Sequence, residues 1–250
     1  HKIPVILANE REICFSEEPF DIFYQRFTNF PKYFNRLGNI KKKQVLKISK
    51  KNLQKRLEGT TKIKMFYQDG SAFHVRKMKN EIIENQKIKV LITTHCFYDV
   101  PHALGELLFP DFYEWLKYLA QISNKTNYDW YIKPHIKYKP GTIETIKRII
   151  QDSKIKLISS DTSFHEIKHK GVKFILTCYG SVGHELPLLN FNVINAGFNP
   201  HSAYNFNYNV KNISNYKKIL MNLNRLKIKI DKKKIYEFFY VYKFMYENDN

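Results

Sequence analysis

Between residues 88 and 196, short apolar runs alternate with segments of helical period. Residues 88–93, 128–133, 156–159, 172–178 and 192–196 read as strands, being β-branched or apolar runs bounded by polar loops. The segments between them read as helices. In residues 112–122, Phe112, Trp115, Leu116, Leu119 and Ile122 fall on one face, and Pro110-Asp111 precedes the first turn. Ile143, Ile146, Ile149 and Ile150 mark a second helix after Gly141. Residues 163–170 form a third, with Ser163 and Glu166 spaced as a capping box and Gly171 as the stop. A short helix follows the turn at residues 179–183. Strand-helix alternation at this spacing predicts an α/β fold: a Rossmann-like parallel sheet with helices on both faces.

The flanking segments have a different texture. Residues 3–8 suit a strand, whereas residues 15–37 are aromatic-rich and interrupted by Pro19 and Pro31, so they show no clear period. Val45, Ile48, Leu53 and Leu57 give residues 43–57 a helical stripe that ends at Gly59. Residues 60–87 are polar and read as a linker or edge. Beyond the sheet, residues 214–223 and 231–246 read as helices. The latter has Asp231 as N-cap and Ile235, Phe238, Phe239, Tyr242 and Tyr246 on one side, the pattern of a core or seam. The expected division is a shorter, mixed, largely helical N-terminal portion over residues 1–87, a Rossmann-like domain over 88–225, and a C-terminal helix over 226–250 that packs back on the body.

Composition narrows the classes. With 250 residues, 43% hydrophobic and 15% aromatic, the chain has enough apolar material for a sizeable core. No apolar run reaches the roughly 20 residues that span a bilayer, and no signal peptide is visible, so a cytoplasmic location is expected. Cys14, Cys96 and Cys178 lack metal-ligand spacing and offer no disulfide framework. The net charge of +19 comes mainly from lysines spread along the chain. It favours anionic partners, among them an anionic membrane surface. No zinc finger, helix-turn-helix or RNA-binding aromatic motif accompanies it, so no nucleic-acid partner is expected.

Ligands of parallel sheets bind outside the carboxyl ends of the strands. That rule selects the loops at residues 94–102, 133–138, 159–163 and 179–185, and with them a set of candidate side chains. His95, Asp99 and His102 are the candidate acid-base groups. Lys133, His135, Ser160, Ser163, Tyr179, Gly180, Ser181, Gly183, His184 and Glu185 are the candidates for holding a phosphorylated ligand. In the last loop, two glycines let backbone approach a ligand, and N–H groups at a helix start favour an anion. His165-Glu166-Ile167-Lys168-His169 matches the zinc metalloprotease pattern, with two rings four residues apart. The helix is only about two turns long and no third ligand follows, so no metal is expected there.

Lys133-Pro134-His135 at a strand end, Tyr179-Gly180-Ser181-Val182-Gly183-His184-Glu185 before a helix, and Val193-Ile194-Asn195-Ala196 as the next strand carry a resemblance. Over residues 88–223 the chain resembles the C-terminal half of GT-B glycosyltransferases, especially those of bacterial capsule and surface-polysaccharide synthesis. The resemblance implies a metal-independent transferase without cofactor. A nucleotide-sugar donor and a polysaccharide or lipid-linked glycan acceptor would be its substrates, with peripheral contact at the anionic inner membrane. It places His135 at the donor phosphate, Ser181 and the Gly183 backbone around it, and Glu185 on ribose or sugar hydroxyls. Ile136 departs from the family's second proline, and Pro187 interrupts a helix that normally continues. The N-terminal 87 residues are short for a full partner domain, so a reduced domain or a missing N-terminal part is expected. Two alternatives remain: a nucleotide-sugar epimerase of the same architecture, and a non-catalytic module for polyanions or glycans.

Overall fold

The computed structural model describes residues 5–8, 13–16, 27–60, 72–74, 80–95, 97, 107–136 and 138–245. Near the N-terminus, β1 (Val5–Ala8) and β2 (Ile13–Ser16) pair as an antiparallel ribbon. The main sheet contains β3 (Lys89–Thr93), β4 (Asp129–Lys133), β5 (Ile155–Leu157), β6 (Phe174–Thr177), β7 (Asn192–Asn195) and β8 (Tyr208–Asn209). All of its pairings are parallel, and the order across it is β5-β4-β3-β6-β7-β8. Growth runs outward from β3 to one edge, then resumes on its other side with β6. This is the order of a Rossmann-like doubly wound sheet, and it reverses between β3 and β6.

Successive side chains of a strand point to opposite faces, so a sheet covered on both sides needs apolar residues at every position. The central strands meet that need. Val90, Ile92, Trp130, Ile132, Phe174, Leu176 and Ile194 enter one core. They pack there with α3 (Phe112–Asn124), α4 (Thr142–Ile150) and α7 (Ile213–Leu220). Leu91, Tyr131, Ile175 and Val193 enter the other, with α5 (Phe164–His169) and Leu186. Fully burying each large apolar side chain stabilises by about 1.5–3 kcal/mol. α3 is therefore held mainly by Phe112, Trp115, Leu116 and Leu119. Its start is fixed by Asp111, whose carboxylate accepts the Glu114 N–H at 2.8 Å.

A third cluster lies beside the sheet. α1 (Phe30–Asn35) has Pro31 in its first turn, where a missing N–H does no harm. It and α2 (Asn39–Leu57) contribute Phe30, Phe34, Val45 and Leu53. α8 (Lys232–Tyr240) and the π-helical turn Val241–Met245 supply Ile235, Phe238, Phe239 and Val241. Leu188, Tyr204 and Phe206, from the segments flanking β7, complete the cluster and join it to the sheet. No helix among the described residues is long and apolar enough to cross a membrane.

Three local features depart from expectation. The segment after His201, for which the sequence pattern predicts no element, includes β8, two residues too short to leave an apolar pattern. Ser163 accepts from the His165 N–H, while Glu166 turns away to accept the Asn80 N–H, so the reciprocal capping box does not form. The aromatic C-terminal helix stops being α-helical at Tyr240 and finishes as the π turn. Pro187 acts as its chemistry requires. α6 (Val182–Glu185) lasts one turn and gives way to the 3₁₀ turn Leu186–Leu189.

Candidate functional site

At the β3/β6 reversal the two strand ends touch. His95, two residues past β3, donates its Nε2–H to the Tyr179 carbonyl, because a carbonyl can only accept. The imidazole stacks on Phe112 at a centroid distance of 4.8 Å. Gly180 has φ +124°, a conformation that L side chains rarely adopt, and a Cβ there would also press on His95 Cε1 at 3.1 Å. The Thr93 hydroxyl donates to the Leu176 carbonyl across the strands. Thr94 Oγ1, buried beside them, has no hydrogen-bond partner among the described residues.

Lys133 closes the next gap along the edge. Its ammonium donates to the Ser160 carbonyl and lies 5.3 Å from the Phe164 ring centroid. Only 3% of the residue is exposed. Burial lowers its pKa to about 8, and the Asp161 carboxylate opposes that shift. Lys133 thus ties the end of β4 to the loop after β5, and remains largely charged at neutral pH. His135, by contrast, is exposed. The Ser163 hydroxyl faces inward and donates to the Phe73 carbonyl at 3.1 Å.

The loop after β6 is held from several directions. The Ser181 hydroxyl donates to Glu185 Oε2 at 3.2 Å, and Arg56 Nε of α2 donates to Glu185 Oε1 at 2.8 Å. Glu185 is therefore paired before any ligand arrives. The Gly180 N–H donates to Asn199 Oδ1, and the Asn199 amide donates to the Cys178 carbonyl at 2.9 Å. The Asn207 amide donates to the Gly183 carbonyl. A Cβ on Gly183 would overlap the His201 ring. Glycine is needed there for side-chain packing, whatever else approaches the backbone.

His184 and His201 are buried behind this loop. His184 lies among Phe238, Phe239 and Tyr242, with centroids 5.1–6.5 Å away. Desolvation, then Lys243 and Arg56, lower its pKa to about 3, so it carries no charge toward the sheet edge. His201 is held well below the usual histidine range by burial and by His184. Its Nε2 accepts from the Asn195 amide at 2.9 Å, and that amide also donates to Asn209.

The structure thus joins His95, Tyr179 and Gly180 at the reversal, Lys133 and Ser160 beside them, and Ser181 with Glu185 in the next loop. Asp99 and His102 lie outside the described residues. The His165, Glu166, His169 trio is divided: His165 Nε2–H donates to the Leu57 carbonyl at 2.8 Å, and Glu166 serves Asn80. Among the described residues no group of three His, Cys, Asp or Glu side chains is arranged to hold a metal ion. Arg56, Asn199 and Asn207 were not foreseen, because each acts on a loop far away in sequence; Arg56 and Glu185 are 129 positions apart. Comparison with protein-family models, with curated proteins and with solved structures gives no match.

Proposed function

We propose that the chain binds a nucleotide-sugar donor beside the β3/β6 reversal. In this proposal it transfers the sugar to a surface- or capsular-polysaccharide acceptor, as a GT-B-type glycosyltransferase without a catalytic metal. The carrying observation is the reversal itself. Two polar strand ends, His95 on one side and Tyr179-Gly180-Ser181 on the other, meet where doubly wound sheets take their ligands. The motifs at Lys133-Pro134-His135 and residues 179–185 add the likeness to nucleotide-sugar transferases. Thr94 Oγ1, buried and unpartnered among the described residues, supplies a further polar group at this edge.

Sugar transfer needs stabilisation of the departing phosphate and a base for the acceptor hydroxyl. In the proposed site the first task falls to the N–H groups at the start of α6, the fixed charge of Lys133, and the Ser181 hydroxyl once it turns from Glu185 Oε2 to the phosphate. Exposed His135 reaches the donor phosphate from the β4 end. For the second task His95 is the candidate on the β3 side, its ring placed by the bond to Tyr179. Asp99 and His102 are the other candidates.

The test is a thermal-shift screen of the chain against CMP, CDP, UMP, UDP, GDP and ADP at moderate salt. A ligand that binds only the folded state raises its stability by RT ln(1 + [L]/Kd). One nucleotide is expected to raise the melting temperature, and Ser181→Ala and His135→Ala to reduce that rise without lowering the unliganded value by more than a few degrees. No rise with any of the six, or an equal rise in both variants, would overturn the proposal. A response to every polyanion that fades with salt would favour the binding-module alternative.

A further inference from the structure

α2 holds eight of the chain's 42 Lys and Arg residues and none of its 23 Asp and Glu residues, within 19 positions. Two of the eight are committed elsewhere, Arg56 to Glu185 and Lys42 to the Asn35 carbonyl. The other six, Lys41, Lys43, Lys47, Lys50, Lys51 and Lys55, are exposed, and none forms an ion pair among the described residues. At 3.6 residues per turn five of them fan over the half of the helix opposite Val45, Ser49 and Leu53, its buried stripe, and Lys41 lies at the border of that half.

Lys43, Lys47, Lys51 and Lys55 follow one another at four-residue spacing, so each repels the next, and the helix loses stability by it. Ile40 and Ile48 stand in the same field, 77% and 47% exposed. A lysine-rich composition does not by itself produce this face. α3, α4 and α8 each include a glutamate near their lysines: Glu114, Glu144 and Glu237.

From these features we infer that the outward face of α2 docks the chain on an anionic phospholipid surface. The negative surface potential of such a bilayer attracts clustered lysines, and the attraction decays within a Debye length of about 10 Å at 0.1 M salt. Long lysine stems keep their ammonium groups at headgroup level while Ile40 and Ile48 settle between headgroups. Nucleic acid fits this face less well. Its exposed half has no arginine fork for base edges and α2 has no aromatic ring on which bases could stack. The inference does not depend on sugar transfer.

The experiment is co-sedimentation of the chain with phosphatidylcholine vesicles, with and without phosphatidylglycerol, at low and high salt, alongside binding to an RNA homopolymer. Lys47→Glu with Lys55→Glu reverses two exposed charges and places each beside Lys51, so circular dichroism should show an intact fold. Binding is expected only with phosphatidylglycerol, and should weaken about tenfold or more in this variant, given the attraction each lysine contributes. Ile40→Ser with Ile48→Ser should weaken vesicle binding and leave RNA binding unchanged. Equal sedimentation with neutral vesicles, or vesicle binding unaffected by the two glutamates, overturns the inference. So does RNA binding tighter than vesicle binding and lost in the lysine variant, which would make α2 a nucleic-acid face.

Discussion

A methyl group at Gly183 has nowhere to go, because the buried ring of His201 occupies its place and is itself fixed by Asn195. Gly183→Ala should therefore cost about 1–3 kcal/mol, as overpacking of a filled interior does. A urea titration would show it as an earlier midpoint with unchanged slope. An unchanged midpoint would mean that His201 can rotate away freely. Gly180 and Gly183 looked alike in the sequence, as small residues in one ligand loop. Gly180 does answer to its own backbone, at φ +124°, whereas Gly183 answers to a side chain 18 residues later. No local pattern distinguishes the two. His184 had the same difficulty: it reads as polar and available, yet the rings around it come from a helix more than 50 residues downstream.

Elements rather than single residues decide how the loop after β6 is held. The last turn of α2 delivers Arg56 to Glu185, whose side chain is 7% exposed, and Ser181 completes the arrangement. Removing one partner of such a pair leaves a desolvated charge behind, so Arg56→Met should cost about 1–3 kcal/mol. Adding Glu185→Gln to it should return part of that loss, since no carboxylate is then stranded. Simple additivity in this double-mutant cycle would show the pair to be uncoupled. Most elements were legible from period alone, because β3 and β6 are buried throughout, β4 is buried from Trp130 onward, and α3 carries a full apolar face. β8 was not, since two half-buried residues on the sheet's edge bury too little to leave a signature. The link from α2 to the loop was illegible for a different reason: an arginine at a helix end looks the same whether it meets water or a carboxylate.

For the molecule as a whole, acid is the condition that bears on the buried histidines together. His184, with a pKa near 3, and His201, well below the normal range, stay neutral in the folded chain, whereas their unfolded counterparts take up protons below about pH 6.5. The stability they allow is complete above that pH. It is lost as pH falls toward 3, at up to about 1.4 kcal/mol per pH unit for each ring. Denaturation midpoints measured from pH 7 to pH 4 should fall accordingly, and His184→Leu should lessen the slope. An identical slope would place the acid sensitivity in other groups. The closure of α8 over α1 and α2 has a consequence in time as well. The cluster that buries Phe30, Phe34, Val45 and Leu53 is complete only once Ile235, Phe238, Phe239 and Val241 exist. At about 5–20 residues per second a ribosome needs on the order of tens of seconds to make the intervening chain. Throughout that interval the earliest helices have an uncovered sticky side, which makes the nascent chain a natural client for a holding chaperone.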